Sequence, residues 1–267
     1  MAPAPLLVCD FDGVLVDGLP EYWWSARRAA LDLAPNLVLP ETLPEAFVRL
    51  RPLIHQGWEM VLVAAELSRA DAQVEAALAG YATWLAEALD RWGWTPAQLQ
   101  RTLEQVRAAA IATDCAGWLA RHRLYPGVLQ RLRQLKDEDA LWAVLTTKGE
   151  AFARQILDAA GLQPWALFGH EQGSKPDVLA RLLQQSRPVW FLEDRRPTLE
   201  LVCARPDLAA VRCYLASWGY LGSRDGLDLP ATIHWLEPER FATPLAQWPG
   251  ILLRKQGTGQ KGRQQSR

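Results

Sequence analysis

The stretch from residue 6 to residue 17 constrains the fold of this chain most strongly. It begins with the apolar run Leu6–Cys9, and Asp10, Asp12 and Gly13 follow directly. A short continuous apolar run is typical of a parallel strand buried on both faces. Because side chains alternate along an extended chain, we expect Asp10 and Asp12 to point the same way at the strand's end. Ligands of open α/β sheets bind at such ends, although a solvated turn is the alternative.

The same arrangement recurs twice downstream. An apolar run over residues 141–145 ends in Thr146 and Thr147, and another over 189–192 ends in Glu193 and Asp194. Between them, Lys175 stands at a turn that opens a helix. In a parallel sheet the carboxyl ends of strands meet at one edge, so these polar groups are expected to converge there.

Two patterns divide the chain. Residues 18–121 contain only helical patterns, predicted over 21–34, 57–67, 71–92 and 95–113, with one more short helix ending near 122. From Tyr125 onward, helices alternate with strands predicted at 141–145, 189–193 and 210–215. This alternation predicts an α/β fold, with a Rossmann-like parallel sheet and helices on both faces. The first segment is then an all-helical insertion.

Four of these motifs, in this order, resemble the haloacid dehalogenase superfamily of phosphatases. Residues 10–15 (Asp-Phe-Asp-Gly-Val-Leu) resemble its first motif, Thr146 its second, Lys175-Pro176 its third and Glu193-Asp194 its acidic fourth. The resemblance covers residues 6 to about 220. It implies a catalytic core formed by residues 1–17 and 122–250, a helical cap at 18–121 and a disordered basic tail at 251–267.

The resemblance also implies a role for each motif. Asp10 would be the nucleophile that forms an aspartyl-phosphate, and Asp12 would protonate the leaving group and then activate water. Thr146, Thr147 and Lys175 would bind the phosphoryl group. Mg²⁺ would be held by Asp10, the backbone carbonyl of Asp12, Asp194 and Glu193.

Two features of these motifs bear on the identity of the metal ligands and on the type of reaction. The fourth motif departs from the commonest family pattern, so the second acidic metal ligand is either Glu193 or Glu200. The dehalogenase branch lacks a carboxylate at the position of Asp12, so Asp12 favours phosphoryl transfer. Lys148 is predicted to face solvent, although it lies close enough to reach the substrate.

These expectations predict a Mg²⁺-dependent phosphatase that hydrolyses a small phosphorylated metabolite, such as phosphoglycolate or a sugar phosphate. A phosphomutase of the same fold and a catalytically silent regulatory protein are the alternatives. A cap would close over the site and contact the substrate. Its candidate contacts are Tyr22, Trp23, Arg27 and Arg28.

The composition of the chain indicates which classes of binding partner and which cellular compartment to expect. A formal net charge of -1 gives no reason to expect nucleic acid, and no apolar run approaches the ~18 residues of a membrane helix. The N-terminus has no basic region typical of a signal peptide. The four cysteines show no paired spacing, so we predict reduced thiols and a cytoplasmic protein.

Overall fold

The computed structural model describes residues 3–248. The strands in that range are β1 (Leu6–Cys9), β2 (Val16–Asp17), β3 (Arg123–Leu124), β4 (Leu141–Leu145), β5 (Ala166–Phe168), β6 (Val189–Glu193), β7 (Arg212–Ala216) and β8 (Ile233–Leu236). The α-helices are α1 (Leu19–Leu33), α2 (Glu45–Leu50), α3 (Gly57–Glu66), α4 (Val74–Ala79), α5 (Tyr81–Trp92), α6 (Pro96–Leu119), α7 (Val128–Gln134), α8 (Glu150–Ala159), α9 (Lys175–Leu182), α10 (Arg196–Cys203) and α11 (Pro238–Phe241). Short 3₁₀ turns lie at Arg51–Leu53, Leu135–Glu138, His170–Gln172, Pro206–Leu208 and Leu245–Gln247.

Six of the strands form one parallel sheet in the order β5-β4-β1-β6-β7-β8. The predicted α/β fold is therefore confirmed. From β1 the chain moves outward through β4 and β5, and from β6 it moves outward in the other direction through β7 and β8. The direction of winding thus reverses between β1 and β6, and ligands of open α/β sheets bind at such a switch point.

Both faces of the sheet are buried, which explains the continuous apolar run of β1. Leu7 and Cys9 belong to the apolar cluster that contains residues of α7 and α8. Leu6 and Val8 belong to the opposite cluster, with residues of α9 and α10. Alternate side chains of β1 thus enter opposite layers of the core, as expected for a central parallel strand.

Helices α1 to α6 lie between β2 and β3 and have a hydrophobic core of their own. Within it the rings of Trp23 and Phe47 pack edge to face, with centroids 5.3 Å apart. The antiparallel pairing of Val16 with Leu124 joins the two chain segments at the base of these helices. The helices correspond to the predicted insertion, whose boundaries at residues 18 and 121 stay a prediction.

The structure corrects several predicted elements. The single helix predicted over 71–92 is two helices, because Gly80 adopts a non-helical conformation (φ -153°, ψ 65°) between α4 and α5. Glycine favours such a break because it loses the most backbone entropy in a helix. The two helices predicted between residues 95 and 122 are joined in α6, with a kink at Asp114. Strands β5 and β8 were not predicted, because they are short and only partly buried.

Two sequence predictions concern membranes and the tail. Between residues 3 and 248, no helix has both the length and the apolar character that a membrane crossing requires. The predicted disordered tail, at 251–267, lies outside the described residues, as do residues 1–2 and 249–250 of the predicted core.

A buried ion pair joins α1 to α6. The Arg107 guanidinium donates two hydrogen bonds to the Glu21 carboxylate, at 2.8 and 2.7 Å. Ser25 and Trp118 also donate to this carboxylate. Charge–charge attraction to Arg107 and Lys148 outweighs burial and holds the pKa of Glu21 far below its ordinary value. Glu21 is therefore an anion whose removal would leave Arg107 buried without its counter-charge.

We predict that Glu21→Gln lowers the free energy of unfolding by about 3–5 kcal/mol, because one buried charge then lacks its partner. Glu75→Gln is the matched control, since the exposed Arg49–Glu75 pair joins α2 to α4. Its loss should cost about 1 kcal/mol or less. Urea unfolding of both variants measures the difference. Equal losses would contradict a structural role for the buried pair.

Candidate active site

The first motif is a tight turn directly after β1. The Asp10 N–H donates to the Leu192 carbonyl of the adjacent strand β6 at 2.8 Å, which fixes the end of β1. Gly13 then turns the chain with a φ of 93°, a conformation that favours glycine. A Cβ atom at Gly13 would lie 1.9 Å from Asp194 Oδ2. Glycine is required here both for the turn and for the close approach of the fourth motif.

Lys175 connects the first and fourth motifs. It is the first residue of α9, which begins after Ser174, whose hydroxyl accepts a hydrogen bond from the Asp177 N–H. The Lys175 Nζ lies 2.8 Å from Asp10 Oδ1 and 2.6 Å from Glu193 Oε2. One buried ammonium therefore bridges the carboxylates that follow β1 and end β6.

Asp10, Glu193 and Asp194 form a buried acidic cluster, with one carboxylate oxygen of each within 4.8 Å of the others. Burial and the Glu193 charge raise the pKa of Asp10 to about 7, although Lys175 opposes the shift. Burial also raises the pKa values of Glu193 and Asp194. Such crowded carboxylates require positive charge, and an all-oxygen donor set of this kind suits a hard divalent cation.

Glu193 and Glu200, the two candidates for the second acidic metal ligand, lie in different environments. The Glu193 Oε1 accepts hydrogen bonds from the backbone N–H groups of Asp194 and Arg195, at 3.2 and 3.1 Å, so its carboxylate is held inside the cluster. Glu200 instead pairs with Arg196 at 2.7 Å and is half-exposed. Geometry therefore brings Glu193, and not Glu200, to Asp10.

Thr146 and Thr147 lie at the end of β4, next to β1. The Thr146 N–H donates to the Phe168 carbonyl at 2.9 Å, and its hydroxyl oxygen accepts from the Lys148 N–H at 3.0 Å. Thr146 is buried, whereas Thr147 is exposed toward the cavities described below. The loop thus presents hydroxyl groups on the side of Asp10 opposite β6.

The prediction that Lys148 faces solvent is wrong. Its side chain is only 2% exposed, and its Nζ lies 3.5 Å from Asp12 Oδ2 and 3.8 Å from Glu21 Oε2. Burial lowers the pKa of this amine, while Asp12 and Glu21 oppose that shift. The reason for the burial is that the helices of the insertion cover the loop after β4, which a reading of the loop alone does not reveal.

Of the four predicted cap contacts, Tyr22 lines the site and the others do not. Trp23 is buried in the core of the helical insertion, Arg27 donates to a backbone carbonyl in the same region, and Arg28 lies over the Trp24 ring. All four were predicted from their position near the hinge, but of them only Tyr22 lines the Asp12-side cavity of the site.

The sequence reasoning missed Arg51 and His55, which reach the site from the segment between α2 and α3. The Arg51 guanidinium lies over the rings of Tyr22 and Tyr220, 5.0 and 4.2 Å from their centroids. Burial and nearby cations lower the pKa of His55 to about 4, which favours a neutral imidazole. The available signal was an Arg and a His within the short segment that separates two helices.

Tyr220 ties the loop after β7 to the site. Its N–H donates to Asp194 Oδ2 at 2.7 Å, and its hydroxyl donates to Asp17 Oδ1 at 2.8 Å. The same hydroxyl accepts from the Gly18 N–H at 2.8 Å. One residue thus orients an acid of the cluster and holds the start of the helical insertion.

Three adjoining cavities lie between the helical insertion and the sheet edge. The Asp10 cavity, of about 30 Å³, is lined by Asp10, Lys175, Glu193, Asp194 and Arg51, among others. The Asp12 cavity, of about 40 Å³, is lined by Asp12, Tyr22, Lys148, Arg51 and Arg107, among others. An entrance cleft of about 650 Å³ contains Thr146, Trp58, Lys175 and Leu201. Thr147 and His55 line all three, so the cavities form one site with distinct compartments.

A family model described as haloacid dehalogenase-like hydrolase matches residues 5–196, which is most of the chain. The chain therefore belongs to the haloacid dehalogenase-like hydrolases, and the predicted family and enzyme class are confirmed. Among curated proteins, no sequence matches the chain significantly.

Several solved structures share the fold. A predicted phosphoglycolate phosphatase from Haemophilus somnus is 20% identical, with a TM-score of 0.57 over 90% of this chain and 95% of that one. A predicted phosphatase from Clostridium acetobutylicum is 15% identical, with a TM-score of 0.60 over 90% and 97%. A haloacid dehalogenase-like protein from Streptococcus pneumoniae is 15% identical, with a TM-score of 0.56 over 90% and 97%. At these identities the likeness establishes the shared fold.

We predict that Gly13→Ala lowers kcat for hydrolysis of 4-nitrophenyl phosphate by about 100-fold, because the new Cβ displaces Asp194 from the cluster. Gly80→Ala is the control, since a Cβ there has no heavy atom within 4 Å. It should retain activity within roughly twofold, as expected of surface substitutions. Circular dichroism checks that both variants fold. Full activity of Gly13→Ala would show that the close approach is not needed.

Proposed function

We propose that the protein is a Mg²⁺-dependent phosphatase that hydrolyses a small phosphorylated metabolite through an aspartyl-phosphate at Asp10. The observation that carries this proposal is the Lys175 ammonium between Asp10 and Glu193, beside Asp194, at the switch point of the sheet. A phosphate monoester is an anion, and its attack by a carboxylate requires concentrated positive charge at the reacting oxygens.

Asp10 supplies the nucleophile in this proposal. Its carboxylate is fixed by Lys175 through Oδ1, and one carboxylate oxygen attacks phosphorus in line with the leaving alcohol. The hydroxyl of Thr146 and the ammonium of Lys175 bind the phosphoryl oxygens and orient them. Thr147, which lines all three cavities, adds a second hydroxyl at the same loop.

Asp12 supplies the proton for the leaving alcohol. It lies two residues beyond the nucleophile, and its Oδ1 makes no hydrogen bond within the described part of the chain. That oxygen is free to give a proton to the departing alkoxide. The resulting carboxylate then takes a proton from the water that attacks the aspartyl-phosphate, which releases phosphate and regenerates Asp10.

The residues present fit a magnesium ion. Asp10, Asp194 and the backbone carbonyl of Asp12 would hold it, with Glu193 as an additional or outer ligand, since Glu193 already accepts from Lys175. When bound, the ion supplies positive charge that neutralises the phosphoryl oxygens. Hydrogen bonds from Tyr220 and from the backbone N–H of Arg195 orient two of these acids.

The cellular location is part of the same proposal. Cys9 and Cys213 are buried in the core, and all four cysteines are free thiols. Reduced cysteines are typical of proteins in a reducing compartment. We therefore place the phosphatase in the cytoplasm.

We expect purified protein to release inorganic phosphate from a panel of phosphate monoesters in the presence of Mg²⁺ and not after EDTA treatment. Asp10→Asn should abolish turnover, and Asp12→Ala should leave less than about one per cent of it, because general acid catalysis contributes ~10²–10⁴-fold.

The control for both variants is Glu200→Gln, which changes an acid outside the cluster and should retain activity. Near-normal hydrolysis by Asp10→Asn would refute the assignment of the nucleophile. Formation of an isomeric phosphate ester without free phosphate would indicate a phosphomutase, and no turnover of any ester would indicate a regulatory protein.

Metal binding should depend on pH. Because the pKa of Asp10 in the metal-free protein is raised to about 7, the folded state holds a proton there that the unfolded state loses near pH 4. Stability of the metal-free protein should therefore fall as pH rises between these values. Mg²⁺ needs the ionised carboxylate, so its affinity should be about tenfold weaker at pH 6 than at pH 8.

Calorimetric titration with Mg²⁺ at both pH values measures this difference, and titrations in two buffers report the proton released. Asp10→Asn removes the titrating group, so its weaker Mg²⁺ binding should vary little with pH over the same range. An affinity for the unaltered protein that is the same at both pH values would contradict a raised pKa at Asp10.

A further inference from the structure

We propose that Lys148 makes the enzyme selective for phosphate esters whose leaving alcohol carries a carboxylate, which the Lys148 ammonium binds in the Asp12 cavity. This inference rests on the phosphatase function proposed above. It adds the chemical class of the substrate and assigns it to a side chain outside the four motifs.

The position of Asp12 determines where the leaving alcohol lies. Asp12 lines the Asp12 cavity, whereas Asp10, Glu193 and Asp194 line the Asp10 cavity. A group that protonates the leaving oxygen must be within hydrogen-bond reach of it. The alcohol therefore occupies the Asp12 cavity, and the side chains that line this cavity contact it.

Lys148 is a buried cation of this cavity whose two ion pairs are long. Its Nζ is buried, yet it has no hydrogen-bond acceptor among residues 3–248, since Asp12 and Glu21 are 3.5 and 3.8 Å away. Glu21 is already occupied by two hydrogen bonds from Arg107. A buried ammonium without an acceptor is costly, and an anionic ligand would supply the missing hydrogen bond.

The remaining charges in the cavity do not cancel Lys148. Arg51 adds a second cation, whose Nε also lacks a hydrogen bond in the described range. Glu104 is the other acid of the lining, but its side chain is 37% exposed and it accepts a hydrogen bond from Gln100. Solvent screens a charge at that rim, so the interior of the cavity favours an anion.

The size of the cavity favours a small anion. A buried water needs about 10–15 Å³ by the same measure, so about 40 Å³ holds about three water-sized groups. A methylene group with a carboxylate fits that space, whereas a sugar ring does not. The larger entrance cleft is lined by Thr146 and Lys175 and not by Asp12, so it receives the ester without holding its alcohol.

The test compares esters that differ in one group. We expect kcat/KM for 2-phosphoglycolate to exceed that for 2-hydroxyethyl phosphate by about 10- to 100-fold, the range for a hydrogen bond to a charged group. Phosphoethanolamine, which carries a cation instead, should be poorer still. Ethylene glycol bisphosphate is the arm that tests a second phosphate in place of the carboxylate, and we expect it to be poorer than 2-phosphoglycolate.

Lys148→Met keeps the apolar stem and removes the charge. It should lower the ratio of kcat/KM for 2-phosphoglycolate to kcat/KM for 2-hydroxyethyl phosphate to near one. Lys148→Arg should restore part of the selectivity, because it restores a donor and a positive charge. Lys136→Met, at an exposed lysine of the same domain, is the matched control and should change neither value.

The outcomes separate this inference from the proposed function. Hydrolysis of 2-hydroxyethyl phosphate as fast as of 2-phosphoglycolate by the unaltered enzyme would overturn the inference and leave the phosphatase intact, whether or not any variant folds. Equal losses on both esters in Lys148→Met would show that Lys148 acts on the phosphoryl group or Asp12, which also overturns it. If ethylene glycol bisphosphate is hydrolysed faster than 2-phosphoglycolate, the group that Lys148 binds is a second phosphate and not a carboxylate, which overturns the inference. Failure to hydrolyse any ester would overturn both proposals.

Discussion

The repulsion among buried carboxylates at one sheet edge is the constraint on which the site depends. Asp10 follows β1, while Glu193 ends β6 and Asp194 follows it. These strands are hydrogen-bonded neighbours, so the sheet itself forces the three acids together. Burial makes that proximity more costly, because water no longer screens the charges. Lys175 offsets part of the cost through short contacts with two of the acids. The negative charge that Lys175 does not neutralise favours the binding of a cation.

This constraint explains several residues that carry no chemistry themselves. Gly13 and Gly219 leave room for Asp194, since a Cβ on either would lie within 2.2 Å of one of its atoms. Tyr220 holds an oxygen of Asp194 through its N–H and holds the first residues of the insertion through its hydroxyl. The loop that contains Tyr220 therefore contacts both the acidic cluster and the start of the helical insertion.

The sequence was sufficient for four of the six strands of the sheet and for the groups at their ends, because both depend on local patterns. A central strand must be apolar throughout, and residues that follow its end must lie at the edge, so Asp10, Thr146 and Glu193 could be placed without coordinates. The burial of Lys148 and the approach of Arg51 could not be predicted, because they depend on how distant helices pack over the loops. Helical periodicity gives the apolar side of a helix, but it does not give the element that its polar side meets.

The two small cavities favour ligand groups of opposite charge. The Asp10 cavity has three carboxylates and one bridging lysine, so it favours positive charge. The Asp12 cavity has the Asp12 carboxylate, the partly exposed Glu104 and two cations without a full set of acceptors, so its interior favours negative charge. In the proposed reaction, a phosphate ester that spans them would meet a cation site near phosphorus and an anion site beyond the leaving oxygen. Arg51 belongs to the insertion, lines both cavities and lies over the rings of Tyr22 and Tyr220, so the position of the insertion shapes both compartments.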